Sequence, residues 1–474
     1  MCYIPSDLDT KPPSARGRRR SPSLAALLSF LWPGLGQLYT GKRRLAAVLA
    51  APAVVVLLLL AYELRRGPGV FVARFVDPTV SLAAIVVVLL LGALRLTAVA
   101  HAFASGERIE KHRLIDRAVV IGLAAVIVIS HLGLGGFLAI AYQAGSNISK
   151  PNTDLVDLRT PVPILASGET PGPAPTQVST PSINDRVTIL FTGVDADPSR
   201  QENLYDSIMV VSYDPQTNSV QMVSVPRDTA GFPMYFGNHP TVAAATRINS
   251  VPGYVRNGWI KSPDAPYTTL VKEVSYLVGI PIDYYAVMDL AGFVKMIDKV
   301  GGIDVVNPSD IVDIANPSLG WPGYDWLDGT FGFTLAAGPQ HLDGRHALAY
   351  VRARKGNAGG DFARAGRQQQ VMIALLHKMA EPGQILALPD LLSTLSSSVS
   401  TTFPANQVAD YIAIGQSVPS ENFHQVVLSV PDFAYYMTSG GTCLLYPKVA
   451  AESITLFGTD STWSGKPVPN FSCP

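Results

Sequence analysis

Between residues 345 and 367, six basic side chains (Arg345, Arg352, Arg354, Lys355, Arg364 and Arg367) accompany a single acidic one, Asp361. One carboxylate cannot neutralise six cations, so the stretch is read as a binding site for an external anion. Five of the six are Arg, whose planar fork grips phosphate oxygens in pairs, whereas a solvated face is served equally well by Lys. Arg352 and Arg354 alternate by two, which aims both in one direction if that segment is extended. Beyond the glycine-containing loop at 356–360, Asp361, Arg364 and Gln368 fall at i, i+3 and i+7 on one helical face, with Arg367 adjacent. Met372, Leu375, Leu376 and Met379 mark the buried face of that helix. Its amino end directs backbone dipoles favourably towards an anion.

Two carboxylates, Asp195 and Asp206, flank a short loop after a β-branched and aromatic run at 187–191. Carboxylates at strand ends can hold Mg²⁺, or Mn²⁺, together with substrate phosphates, and on spacing alone they serve equally well as turn residues. Beside an arginine cluster, they point to phosphoryl chemistry. Runs at 208–213 and 219–225 read as two further strands joined by the turn formers of Asp214-Pro-Gln-Thr-Asn218, and the hairpin ends in Pro226-Arg227-Asp228. A strand at 284–288, a helix at 290–300 ending at Gly301-Gly302 and a strand at 303–306 follow. This alternation predicts an α/β domain with a mixed central sheet flanked by helices over 186–474.

The elements before this domain are of another kind. The 474 residues hold 36 basic and 36 acidic side chains, yet residues 1–143 carry sixteen basic and seven acidic ones, a charge of +9 offset by −9 afterwards. Hydrophobic residues make up 48 % and charged ones 15 %, which excludes a disordered chain. Apolar runs at 45–64, 79–100 and 118–142 are long enough to cross a bilayer of about 30 Å, so 23–142 is an all-α transmembrane region. Pro33, Gly34 and Gly36 break the earlier run at 23–40, and Lys42-Arg43-Arg44 follows it, so it is read as re-entrant or interfacial. Its Pro33–Gly41 stretch, PGLGQLYTG, resembles a motif of small multispanning bacterial membrane proteins and names no chemistry. The Arg16-to-Arg20 block makes 1–22 a cytoplasmic basic tail, and three spans then carry everything after 142 outside the cell membrane. No cleavable signal peptide is expected. Residues 143–185, rich in Pro, Ser and Thr, read as an extended linker.

Five collinear blocks carry a family resemblance: ILFTGVDADP, DSIMVVSYDPQTNSVQMVSVPRDT, RINS, DYYAVMDLAGFVKMIDKVGGIDVVNP and GPQHLDGRHALAYVRARKGNAGGDFARAGRQQQVM. The stretch resembles the LytR-CpsA-Psr proteins, bacterial cell-wall glycopolymer ligases. The resemblance implies an extracellular domain with a greasy pocket for a polyprenyl chain and arginines at its mouth. It implies a phosphotransferase that moves a glycopolymer from polyprenyl pyrophosphate onto peptidoglycan or a similar acceptor, with Mg²⁺ or Mn²⁺ and no nucleotide. By motif, Asp195 and Asp206 correspond to metal ligands, and Asp206 to a group assisting the acceptor hydroxyl. Arg227, Arg352, Arg354, Arg364, Arg367 and Gln368 correspond to pyrophosphate ligands, with Arg227, Arg352 and Arg354 catalytic beside Asp206. Asp361 corresponds to the carboxylate that orients the arginines. Where the family has Arg two residues before the second aspartate, this chain has Leu204, with Arg200 in the preceding loop as a substitute.

Several other functions are disfavoured. No G-x-x-x-x-G-K-[ST] motif is present, Ser207 and Ser224 lack a nucleophile elbow, and His341 and His346 lack a further ligand at metal spacing. The basic cluster is too local for nucleic-acid binding. The rivals that survive are a polyprenyl-pyrophosphate hydrolase and a non-catalytic polyprenyl-lipid-binding regulator. Of the three cysteines, Cys2 lies on the cytoplasmic side, and Cys443 and Cys473 are expected to form a disulfide outside.

Overall fold

Leu, Val and Ala fill the first third of the chain, and a backbone without water to bond must satisfy itself by forming helices. The computed structural model describes residues 20–65, 67–106, 113–148, 181, 184–195, 204–236, 246–313, 333–381, 384, 391, 398–438 and 440–466. Helix α1 (Pro22–Leu31) starts at Ser21, whose hydroxyl accepts from the Leu24 N–H, and Pro22 occupies the first turn. At about 1.5 Å per residue, its ten residues reach only about half a bilayer core. Then come α2 (Leu35–Tyr39), α3 (Arg43–Leu64), α4 (Pro68–Ala73), α5 (Pro78–Ala104) and α6 (Arg113–Ile148). By length and composition, α3, α5 and α6 are long and apolar enough to cross a membrane. Gln37, in the PGLGQLYTG stretch, is fully buried and satisfied: it accepts from Ser29 Oγ at 2.9 Å and donates to the Ala98 carbonyl at 2.7 Å.

The chain divides into two compact units, residues 1–66 with 82–139, and residues 67–81 with 140–474. The second holds strands β1 (Val187–Asp195), β2 (Leu204–Asp214), β3 (Ser219–Ser224), β4 (Tyr284–Asp289), β5 (Ile303–Asn307), β6 (Ile311–Asp313), β7 (Phe333–Leu335), β8 (Gly338–Leu342), β9 (Val399–Thr401), β10 (Phe423–Val427), β11 (Ala434–Tyr436) and β12 (Thr442–Leu444). Its helices after the sheet begins are α7 (Val251–Arg256), α8 (Pro266–Val278), α9 (Leu290–Lys299), α10 (Gly344–Arg352), α11 (Gly360–Ala380), α12 (Val408–Ser417) and α13 (Tyr446–Phe457).

Six strands form a mixed sheet in the order β10-β3-β2-β1-β4-β9, with β1–β4 and β3–β10 parallel and the other neighbours antiparallel. Side chains alternate across it. Leu190, Val194, Ile208, Val210, Val223 and Tyr285 pack with Leu270, Val274 and Leu277 of α8 and with Tyr446 and Val449 of α13. Met209, Met222, Phe191 and Val211 pack on the opposite face with Met372 and Ile373 of α11. A further cluster joins Ile297, Leu348, Val371 and Leu375 of α9, α10 and α11 to Ala405 and Ala409, and it also takes in Val70, Ala73 and Val76. The sheet is therefore covered by helices on both faces.

Candidate active site

The topology brings the candidate residues to one end of the central strands. Because β2 runs antiparallel to both β1 and β3, the end of β1, the start of β2 and the chain leaving β3 lie at the same end of the sheet. Asp195 closes β1 opposite Leu204, and a register shift at Gly193/Val194 precedes it. Of Asp195 only the backbone is described. Asp206 lies two residues into β2 and accepts from Arg227 Nη1. Arg227 stands just past β3, in a turn closed by Thr229 Oγ1 donating to the Pro226 carbonyl at 2.7 Å.

Three guanidinium groups surround one carboxylate. Asp361 Oδ1 lies 2.9 Å from Arg364 Nη2, 3.8 Å from Arg227 Nε and 3.8 Å from Arg354 Nη1. Asp361 and Arg364 are i and i+3 in the first turns of α11, as helical spacing requires. Arg364 is 7 % exposed. Burial lowers its pKa to about 10, with Asp361 opposing that shift, so it remains a cation at neutral pH. Burial also works against the charge of Arg227, but Asp206, then Asp361 and Asp228, outweigh it and raise the pKa. The Nε atoms of Arg227 and Arg364 are buried without a hydrogen-bond acceptor among the described residues. The cluster thus retains donor capacity that its own carboxylates leave unused.

Two expectations need correction. Arg352 and Arg354 do not alternate along an extended segment: α10 continues through Arg352, and only Arg354 lies beyond the helix. The helix forms because Asp343 caps it, its carboxylate accepting from the His346 N–H at 2.8 Å. Arg367 does not face the anion site. It is 8 % exposed, donating from Nε to the Tyr350 carbonyl at 2.9 Å, from Nη1 to that of Ala358 at 2.9 Å, and from Nη2 to that of Ala353. Gln368 likewise donates to the Val351 carbonyl at 3.3 Å. Both side chains hold the α10–α11 connection in place. His341 and His346 pair with surface carboxylates, Asp304 and Asp343, each at 2.7 Å. Ser224 Oγ accepts from buried Gln369 at 2.9 Å. Arg200 and Cys473 lie outside the described residues, while Cys443 is disulfide-bonded.

The structure adds residues that spacing did not reveal. Asp313 Oδ2 accepts from the backbone N–H of Arg354 at 2.7 Å and of Lys355 at 3.2 Å, pinning the connection to β6. Gly356 has φ +59°, and a Cβ there would collide with the Val312 carbonyl. Asp228 lies 3.9 Å from Arg227 and 3.3 Å from Arg247, the arginine of the RINS block. The Asp313 bonds and the Asp228–Arg247 pair join segments far apart in sequence. The RINS block was a visible signal, but nothing in its spacing gave Arg247 a role.

This arrangement of cationic forks and unused donors can bind a pyrophosphate. The LytR_cpsA_psr family model matches residues 166–454, beginning within the stretch read as linker. The polyisoprenyl-teichoic acid–peptidoglycan teichoic acid transferase TagV of Bacillus subtilis strain 168 is 32 % identical over 219 residues, 45 % of this chain and 49 % of that protein. This chain therefore spans about half the length of TagV. The transferase of the same description, TagU, from Bacillus mycoides strain KBAB4 is 29 % identical over 284 residues, 59 % of this chain and 80 % of that protein. The crystal structure of B. subtilis TagV aligns with a TM-score of 0.44 at 26 % identity, over 58 % of this chain and 96 % of that one. The family match spans more than half of the 474 residues, and the chain belongs to the LytR_cpsA_psr family.

Proposed function

We propose that this protein is a phosphotransferase that moves a glycopolymer from a polyprenyl-pyrophosphate carrier onto peptidoglycan or a similar cell-envelope acceptor. The observation that carries the reading is the convergence of Arg227, Arg354 and Arg364 on Asp361 with the buried Nε donors of Arg227 and Arg364 left without an acceptor among the described residues, donors that a pyrophosphate can take up. TagV and TagU, named as polyisoprenyl-teichoic acid–peptidoglycan teichoic acid transferases, support the substrate class. In the proposed reaction, an acceptor hydroxyl oxygen bonds to the glycan-bearing phosphorus as that phosphorus loses its bond to the bridging oxygen. Polyprenyl phosphate departs and a phosphodiester joins glycan to acceptor. The hydroxyl proton passes to Asp206, and the arginines offset charge on the equatorial and leaving oxygens.

A cation such as Mg²⁺ would rest on one or two carboxylates together with substrate phosphate oxygens. Asp195 and Asp206 would hold it, and it would supply Lewis-acid polarisation of the phosphoryl oxygens. Helices α3, α5 and α6 would anchor the chain as three spans, with the catalytic domain outside the cell.

The test uses the full chain in lipid nanodiscs with a short-prenyl pyrophosphate glycan and peptidoglycan. A phosphodiester-linked product that disappears with chelator is expected. Release of glycan phosphate at one rate with or without acceptor would replace transfer by hydrolysis, and no phosphoryl release at all would leave a lipid-binding protein.

A further inference from the structure

The rim of the arginine cluster carries rings that phosphoryl transfer does not use. Tyr436, the last residue of β11, is 68 % exposed and its neighbour Tyr435 40 %, whereas Tyr276, Tyr285, Tyr350 and Tyr446 are almost completely buried. Strand pairing does not demand an aromatic there, since Tyr436 stands opposite Thr442 at the turn end of a short hairpin. Its ring centroid lies 6.1 Å from that of Phe362, at an interplanar angle of 44°. Phe362 follows Asp361, the carboxylate shared by the three arginines. The aromatic pair therefore begins one residue from the centre of the anion site.

The hairpin is fixed to the site from the other side as well. The Thr442 N–H donates to the Asp228 carbonyl at 2.9 Å, and the Ala230 N–H donates to the Thr442 carbonyl at 3.0 Å, so β12 is bonded to the turn that carries Arg227. Gly441, at φ +97°, approaches so closely that a Cβ would press on the Asp228 carbonyl at 3.0 Å and on Arg247 Nη1 at 3.2 Å. Arg247 is itself 37 % exposed and uses one edge of its fork on Asp228. A flat apolar face with a cationic donor fork beside it, next to a pyrophosphate site, matches a sugar ring. A pyranose presents a C–H face to an aromatic ring and oxygens around its edge.

We propose that Tyr436 and Phe362 form a carbohydrate-stacking subsite at the rim of the arginine cluster, with Arg247 donating to oxygens at the edge of the bound sugar. The inference rests on the transferase reading above and names the part of the site that handles glycan rather than phosphate. The pyranose belongs either to the lipid-linked donor or to the acceptor strand, and Tyr436 is a specificity-determining residue in both cases.

The experiment compares the parental full chain, in nanodiscs, with Tyr436→Ala and Tyr436→Trp. At a position so exposed, thermal melting of the variants should match the parent, and that is checked first. With a short-prenyl pyrophosphate glycan saturating, the KM is measured for a soluble strand of alternating N-acetylglucosamine and N-acetylmuramic acid. The roles are then reversed. Tyr436→Ala should raise one of the two KM values by about three- to tenfold with kcat little changed, and Tyr436→Trp should restore it. A rise for the strand assigns the subsite to the acceptor, and a rise for the lipid glycan assigns it to the donor. Unchanged KM values in both arms overturn the proposal, as does failure of Tyr436→Trp to recover a KM lost in Tyr436→Ala. A second readout needs no turnover: the fluorescence of the indole introduced by Tyr436→Trp should change on titration with either glycan. If that signal responds while no transfer occurs, the subsite stands and the transferase reading falls. If transfer proceeds while neither KM nor fluorescence responds, the subsite falls alone.

Discussion

Replacing Arg367 by Met separates a structural role from a ligand role. The guanidinium donates to the carbonyls of Tyr350, Ala353 and Ala358, and lies with its central carbon 5.6 Å from the centroid of the Tyr350 ring. A hydrogen bond to a charged group contributes about 1.5–3 kcal/mol, so three of them stand for about 4–9 kcal/mol before any offset. Burial lowers the pKa of Arg367, so keeping a cation there carries a desolvation cost that Met does not. A net loss of about 3–4 kcal/mol is expected. For a domain of this size that corresponds to a fall in Tm of about 6–16 °C, at roughly 2–4 °C per kcal/mol. Arg367→Lys should recover only a small part, because one ammonium cannot span three carbonyls. Thermal melting of the full chain in detergent measures the shift, and equilibrium binding of a short-prenyl pyrophosphate lipid at a temperature where both proteins are folded measures the alternative. A variant that melts within 2 °C of the parent but binds the lipid about tenfold more weakly would refute the argument and return Arg367 to the anion site.

Asp206→Asn should retain most lipid binding but lose about a hundredfold in turnover, while Arg352→Lys should weaken binding through loss of the bidentate fork; parental turnover and metal dependence in Asp206→Asn would exclude a role for that carboxylate. Glu273 is fully buried, accepts from the Tyr235 N–H at 3.1 Å, and has its pKa pushed well above 4.5 by burial. A raised carboxyl stabilises the fold below its unfolded value and loses that contribution as pH climbs through the folded value, so Glu273→Gln should gain Tm relative to the parent between pH 5 and pH 8; a constant difference across that range counts against it. Non-reduced peptide mapping should recover Cys443 linked to Cys473, a loop of about 30 residues that contributes about 3.6 kcal/mol, and two free thiols in oxidised protein would refute the pairing. A cysteine placed among residues 171–175 should react with an impermeant reagent in intact cells; labelling only after permeabilisation would reverse the proposed topology.

The parts of the site that could be read from sequence are those in which charge type and local spacing suffice. Asp361 and Arg364 meet because three residues make nearly one turn of α11, and the excess of Arg announced an anion whatever the fold. Arg367 shows where this fails. Its type is that of a phosphate ligand, but its direction depends on carbonyls left open where α10 ends, which composition does not encode. The alternation in Tyr350-Val-Arg-Ala-Arg354 suggested an extended segment, yet the Asp343 cap and the buried Ala347, Leu348 and Val351 continue a helix through Arg352. Arg247 and Asp228 meet across residues 229–246, so only the folded chain pairs them. The sheet was more accessible: β1 to β4 are β-branched or aromatic runs, and turn formers separate β2 from β3.

The cluster that holds Val70, Ala73 and Val76 against Ala405 and Ala409 makes the second unit discontinuous in sequence. Ala73 and Val76 are fully buried, so this short segment is a component of that unit's interior although 110 residues separate it from β1. A recombinant fragment starting at the Pro-rich stretch would lack it. Helix α12 and the turn before it would then present Ala405, Ala409 and the neighbouring Val408 and Ile412 to water, an apolar strip of the kind that drives association. Soluble expression therefore calls for grafting residues 67–76 onto the fragment, or for polar replacements along that strip, rather than for a cut at the linker alone.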